Sequence, residues 1–137
     1  MKGLFCAVAF TFFLSACSDA PNDSLIKNQV IESVLGEKGS NYYRVENFTK
    51  LNGFAKDAKH YIADIQYDVV FTQSFQQIAQ RLAQDIKPSP FAKMQYEAIL
   101  MTLKTTYGDF NAGLRVEKKD SVSFIKTENG WYIKPNI

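Results

Sequence analysis

The chain reads as an α+β domain, an antiparallel sheet packed on helices, in the order α-β-β-α-α-β-β. Three observations predict this. Residues 60–72 alternate in period two, which defines a strand with one buried face and one mostly wet face. The period then changes abruptly to a helical one after Ser74 and holds until Gly108. Strand character returns at 114–127, and Asn129-Gly130 marks a reversal. Hairpins with a segregated helix pair fit an antiparallel sheet better than a parallel one.

Taken in order, the first helix begins near Ser24, with Asp23 or Ser24 as its cap and Gly36 closing it. Ile26, Val30 and Val34 recur along it at helical spacing. Gly39-Ser40-Asn41 reads as a loop, and 43–54 as a strand interrupted near Asn52-Gly53. The clearest strand, 60–72, places Tyr61, Ala63, Ile65, Tyr67, Val69 and Phe71 on one face. His60, Asp64 and Asp68 fall on the other.

Ser74 and Gln77 form a capping box, in which hydroxyl and amide satisfy exposed backbone N–H groups reciprocally. Phe75, Ile78, Leu82 and Ile86 make the amphipathic stripe that follows. Lys87-Pro88 stops this helix, and Ser89-Pro90 starts another that runs to Tyr107 and ends at Gly108. The second helix is apolar around most of its circumference and is expected to be the most buried. The pair is expected to pack as an αα-hairpin against the sheet. In 114–127, Leu114, Val116, Val122 and Phe124 share one parity, with Lys118-Lys119-Asp120 as an exposed middle or a turn. Asn129-Gly130 predicts a type I′ turn, whose two central residues both need positive φ.

The amino terminus carries an address. Lys2 precedes an apolar run from Leu4 to Leu14, and small Ser15 and Ala16 stand just before Cys17. As a helix, such a run reaches about 16 Å, too short for a hydrocarbon core about 30 Å thick. It has the length of a signal-peptide core. Leu14-Ser15-Ala16-Cys17 resembles the lipobox of bacterial lipoproteins at every position. That resemblance implies a diacylglyceryl group on the Cys17 thiol, cleavage before Cys17 and acylation of the freed amine. The alternative is an ordinary secretory signal whose cleavage site abuts a cysteine.

Residues 1–16 are thus the expected signal, 17–23 the lipidated cysteine with a short tether, and 24–137 a single α+β domain. Ser18, rather than an Asp, follows Cys17. By the same resemblance this favours the outer membrane facing the periplasm, with the inner membrane or the cell surface as alternatives. The element order and the closing hairpin around Phe124–Trp131 also resemble cystatin-like and NTF2-like α+β domains of exported lipoproteins. The NTF2-like cone, however, has a longer amino-terminal helix pair.

Composition narrows the chemistry. Cys6 leaves with the signal, so Cys17 is the only cysteine of the expected mature chain, with none left over for a disulfide or a Cys-ligated metal. One histidine makes a zinc site improbable, and no phosphate loop, dinucleotide fingerprint or Gly-x-Ser-x-Gly elbow occurs. The chain has 16 Lys and Arg against 14 Asp and Glu, and loss of Lys2 brings the two closer still. That balance does not predict nucleic-acid binding. No cofactor is expected.

Asp64 and Asp68, four residues apart on a strand, are about 13 Å from each other, too far for a direct carboxylate pair. The candidate contact residues are therefore Tyr42, Tyr43 and Arg44 at a loop-to-strand junction, and His60 and Asp64 on the wet strand face. The expected function is a non-enzymatic accessory or binding protein of the cell envelope, immunity- or inhibitor-like in one version. It would be held to the membrane through Cys17 and bind a protein or envelope partner. The alternative is a small-ligand carrier or enzyme with a pocket between the sheet and the 89–107 helix.

Overall fold

The computed structural model describes residues 19–135, so residues 1–18, with the expected export signal and Cys17, and the last two residues lie outside it. Helix α1 (Asp23–Leu35) leads through a 3₁₀ turn (Gly39–Asn41) into strands β1 (Tyr43–Asp57) and β2 (His60–Phe71). Helices α2 (Phe75–Asp85) and α3 (Pro90–Tyr107) follow, then strands β3 (Arg115–Thr127) and β4 (Gly130–Ile133). The strands form one antiparallel sheet in the order β1-β2-β3-β4. Fold class and element order are as the sequence predicts.

The local signals act where they were read, with small shifts. The capping box forms at Ser74 and Gln77, Ser89 accepts from the Ala92 N–H at 3.0 Å, and Gly108 closes α3 at φ 67°. For α1 the cap is Asn22, whose side chain accepts from the Leu25 N–H at 2.8 Å. Asp23 is instead the first helical residue, where its charge suits the helix amino terminus, and it pairs with Lys50.

The core lies between α1 and the inner face of the sheet. Ile26 and Val30 from α1 join Tyr61, Ala63, Ile65, Tyr67, Val69 and Phe71 of β2, with Phe124 and Trp131 beside them. Every inward residue of β2 that the period-two pattern assigned is buried. The α1 helix also completes the sheet edge. The Gln29 side-chain amide donates to the Trp131 carbonyl at 2.7 Å and accepts from the Ile133 N–H at 2.6 Å. It mimics a peptide group of a neighbouring strand and satisfies two backbone groups of β4.

Several expectations are corrected. Strand β1 does not break at Asn52-Gly53. It continues to Asp57, absorbing extra residues at register shifts between Glu46 and Thr49, between Lys50 and Asn52, and between Ala55 and Asp57. Asn47 takes φ 51° in the first of these, a conformation asparagine tolerates, and donates to Asp68 at 2.8 Å. Gly53 marks a close approach of the Tyr61 ring rather than a turn. The two-residue turn of the last hairpin is Glu128-Asn129, because Thr127 pairs with Gly130. Neither of these two takes positive φ, which only Gly130 after them does, at 113°, so the type I′ reading does not hold.

The segment before α1 is not a free tether over its whole length. Pro21 is buried, the Trp131 indole donates to the Asp19 carbonyl at 3.0 Å, and Lys126 pairs with the Asp19 carboxylate. Residues 19–22 therefore lie on the end of the sheet that bears the turns at 58–59 and 128–129.

The largest correction concerns α3, which has no buried residue. The α2–α3 hairpin joins the opposite end of the sheet, where the Phe75 N–H donates to the Phe110 carbonyl and the Gly113 N–H to that of Phe71. Its base is an aromatic cluster, with Phe110 4.6 Å from Phe71 and 6.1 Å from Phe75 between ring centres. From α3, Leu103 and Tyr107 of the carboxyl-terminal turns are the side chains packed on the core. The rest of α3 stands clear of the sheet, leaning on α2 through the Tyr96 hydroxyl, which donates to the Ala79 carbonyl at 3.2 Å.

Candidate binding surface

Among the described residues, the exposed large apolar side chains fall into two groups. One is on α3: Phe91, Met94, Ile99 and Met101, of which Phe91 is 64% and Met101 73% exposed. The other is on the sheet, with Phe54, Ile125 and Tyr132 at its far end and Leu51 nearer its middle. Strand β2 separates the two ends by about 36 Å, the rise of its twelve residues.

On α3, Phe91, Met94, Ala98 and Met101 recur at i, i+3, i+7 and i+10 and are all exposed, so they line one face. The opposite face holds Tyr96, Leu100, Leu103 and Tyr107, which are half-buried. The apolar circumference predicted the most buried helix. Instead one side serves the fold and the other meets solvent, which makes it a candidate contact surface. Beside it, a groove of about 370 Å³ runs between the helix corner and the 3₁₀ turn, walled by Tyr42, Leu82, Ile86, Tyr96 and Ile99.

The predicted contact residues are dispersed. Cys17 lies outside the described residues. Tyr42 reaches the groove, with the Arg81 guanidinium 5.9 Å from its ring centre. Tyr43 serves the fold instead: its hydroxyl donates to the Val34 carbonyl at 3.0 Å, and its ring meets Phe71 edge-on at 6.0 Å. Burial raises its pKa. Arg44 sits on the outer sheet face, paired with Glu46. His60 and Asp64 share that face nearer the opposite end. His60 Nδ1 is 2.8 Å from Asp57, and Asp64 accepts from the Ser121 hydroxyl. The five described candidates thus form no common site.

Arg115 organises the charges on the outer face, binding Asp68 at 2.7 Å and Glu46 at 2.6 Å. Hydrogen bonds from Arg44 and then Arg115 lower the Glu46 pKa, and those from Asn47 and then Arg115 lower that of Asp68. Depressed carboxylates stabilise the fold fully above their ordinary values of 4.5 and 3.8, and that contribution is lost as pH falls through the depressed ones. The groups meet solvent, so the effect is small and salt-sensitive. Arg115→Ala is expected to lower stability modestly at about pH 7 in low salt and by less near about pH 2. Urea denaturation at both pH values checks this, and an equal loss at both would contradict it.

A second concavity, of about 470 Å³, opens on the inner face between α1 and the sheet, with Val30, Val34, Ile65, Tyr67, Asp120 and Ser121 in its wall. Among its polar lining groups, the Tyr67 hydroxyl donates to Asp120 at 2.8 Å. Burial and then that bond raise the Tyr67 pKa strongly, so the phenol stays protonated. This cleft differs from the expected pocket, because α1 rather than the 89–107 helix forms its second wall. Sequence reasoning missed Tyr67 and Asp120 as a pair, since their approach depends on the β2–β3 register, which sets Asp120 opposite Ile65.

Among the described residues, no three His, Cys, Asp or Glu side chains cluster as a metal site, and no helix is long and apolar enough to cross a membrane. Comparison of the chain with protein-family models, with curated proteins and with solved structures finds no match.

Proposed function

We propose that this protein is a lipid-anchored, non-enzymatic accessory protein of the bacterial cell envelope, and that its α2–α3 hairpin is the arm that binds a protein partner. An inhibitor- or immunity-like role is one form of this. The single observation that carries the reading is the unpartnered apolar face of α3, at the opposite end of the sheet from residues 19–22. Lipid on Cys17, two residues before Asp19, would hold that near end at the membrane. The hairpin would then face away from it, most naturally from the outer membrane into the periplasm. An exposed apolar helix face is a common way for one protein to grip another.

A photo-reactive side chain at Met101, with a control at Glu128, tests this in cells producing the full chain. One protein should crosslink reproducibly from Met101 and not from Glu128. Phe91→Asp with Met94→Asp should cut its recovery by about tenfold or more, as expected when central apolar anchors are lost. Cys17→Ser should shift the protein from the detergent phase to the aqueous phase.

The cleft between α1 and the sheet supports a second reading, a carrier of a small ligand bound beside Tyr67 and Asp120. A small molecule retained by the purified protein and lost in Tyr67→Phe, with no protein adduct at Met101, would favour it over the first.

A further inference from the structure

We propose that the sheet end nearest Cys17 makes a second, non-covalent contact with the membrane, in which Phe54, Ile62, Ile125 and Tyr132 dock on an anionic lipid surface. The proposal rests on the reading of Cys17 as the lipid-bearing residue.

The sheet register assembles this patch. His60 stands opposite Ile125, and Ile125 opposite Tyr132, in the first outer-face row. Phe54, Ile62 and Ser123 form the next. The four apolar side chains therefore lie in two adjacent rows at the end that carries both hairpin turns. Phe54 is 48% and Tyr132 47% exposed. An aromatic body with a polar tip, as in Tyr132, suits the boundary between headgroups and acyl chains.

Chain connectivity brings the bilayer to this end. Asp19 is held there by Trp131 and Lys126. Two trans peptide steps of about 3.8 Å keep the Cys17 Cα within about 7.6 Å of the Asp19 Cα. At this end the inner face is already covered, with Pro21 and Trp131 buried, which leaves the outer face to meet lipid.

Charge points the same way. Lys56, Lys59 and Lys134 lie at this end and make no ion pair among the described residues, whereas Asp19 pairs with Lys126. Asp57, which accepts from the Lys59 N–H and contacts His60, and Glu128 in the other turn are the opposing carboxylates. Farther along the outer face the apolar rows give way to Asp64 and then to Glu46, Asp68 and Glu117 with their Arg44, Arg115 and Lys119 partners, charged side chains that do not enter lipid. The contact therefore stops after two rows, and the domain stands on its end instead of lying flat. That posture lifts α3 off the membrane.

Nitroxide labels test this in the full lipidated protein, inserted in vesicles of phosphatidylethanolamine and phosphatidylglycerol. They are attached at Phe54→Cys and, separately, at Met101→Cys. The label at position 54 should be reached by oxygen and shielded from an aqueous nickel complex, while the label at 101 should be open to nickel. Full nickel access at 54 overturns the proposal. So does shielding at 54 from both reagents, which would mean a protein covering.

Mass spectrometry of the amino-terminal peptide separates this result from a failure of the anchor itself. If Cys17 carries no lipid, the anchor reading falls, and co-sedimentation of the full chain with phosphatidylglycerol vesicles tests the patch alone. Binding reduced about tenfold or more by Phe54→Asp with Tyr132→Asp would keep the patch as a lipid contact. No binding, or binding indifferent to that change, would remove it.

Discussion

Replacing Phe124 with alanine is expected to cost about 3–5 kcal/mol, the usual range for emptying an aromatic site in a packed core. Phe124 is fully buried in β3, between Tyr61 on one neighbouring strand and Ile133 on the other. No polar group shares its site, so the loss combines transfer free energy with the cavity left behind. Backbone pairing on both sides limits how far the walls can close. Against a typical total of about 5–15 kcal/mol, such a loss leaves the fold marginal. Urea denaturation of wild type and variant measures it directly. A loss under about 1 kcal/mol would mean that the inner face collapses around the gap and is not the rigid packing described here.

The second large effect is expected from the smallest addition. A Cβ on Gly53 would sit 2.0 Å from the Tyr61 hydroxyl oxygen and 2.8 Å from its Cζ, distances no real contact sustains. Tyr61 cannot swing away freely, because it is buried and its ring meets Trp131 edge-on at 6.3 Å. Gly53→Ala is therefore expected to destabilise by about 1–3 kcal/mol, as overpacking does. Because the clash is with one ring, the cost should shrink in a Tyr61→Leu background. A double-mutant cycle by denaturation reads this as sub-additive losses. Strict additivity would show that the strain at residue 53 comes from the backbone and not from Tyr61.

Gly53 also shows how one residue supports two readings. Asn-Gly in sequence is a turn signal, yet here Asn52 pairs with Asp64 and Gly53 with Ala63, within a continuous strand. The glycine is needed for the space above it, and the ring that fills that space comes from the next strand. The closing hairpin differs for a similar reason. Pairing of Thr127 with Gly130 moves the turn one residue earlier than Asn129-Gly130 implied.

The candidate surface was only partly legible. Its residues stood out as apolar, but an apolar helix face does not say whether it is covered. With Phe91, Met94 and Met101 beside Leu103, the apolar circumference led to the expectation of the most buried helix. The separation came from where the hairpin joins the sheet, at Phe71 and Leu114, which leaves most of α3 beyond the reach of the core. Of the contact candidates, Tyr42 lines the groove, whereas the hydroxyl of its neighbour Tyr43 is bonded to the Val34 carbonyl.

By itself the sequence determined what depends on neighbours along the chain. It set the α+β class and element order, the buried parity of β2, the capping box at Ser74 and Gln77, and the helix limits at Ser89-Pro90 and Gly108. Each is a choice made within a few residues, where backbone sterics and local hydrogen bonds dominate. Only the tertiary structure decided what depends on distant partners. Gln29 completes β4 from more than a hundred residues away, and Trp131 pins Asp19 over a longer span still. The two apolar patches were likewise left bare at opposite ends of one sheet. Burial is a property of the assembled surface, and no stretch of chain records what will lie against it.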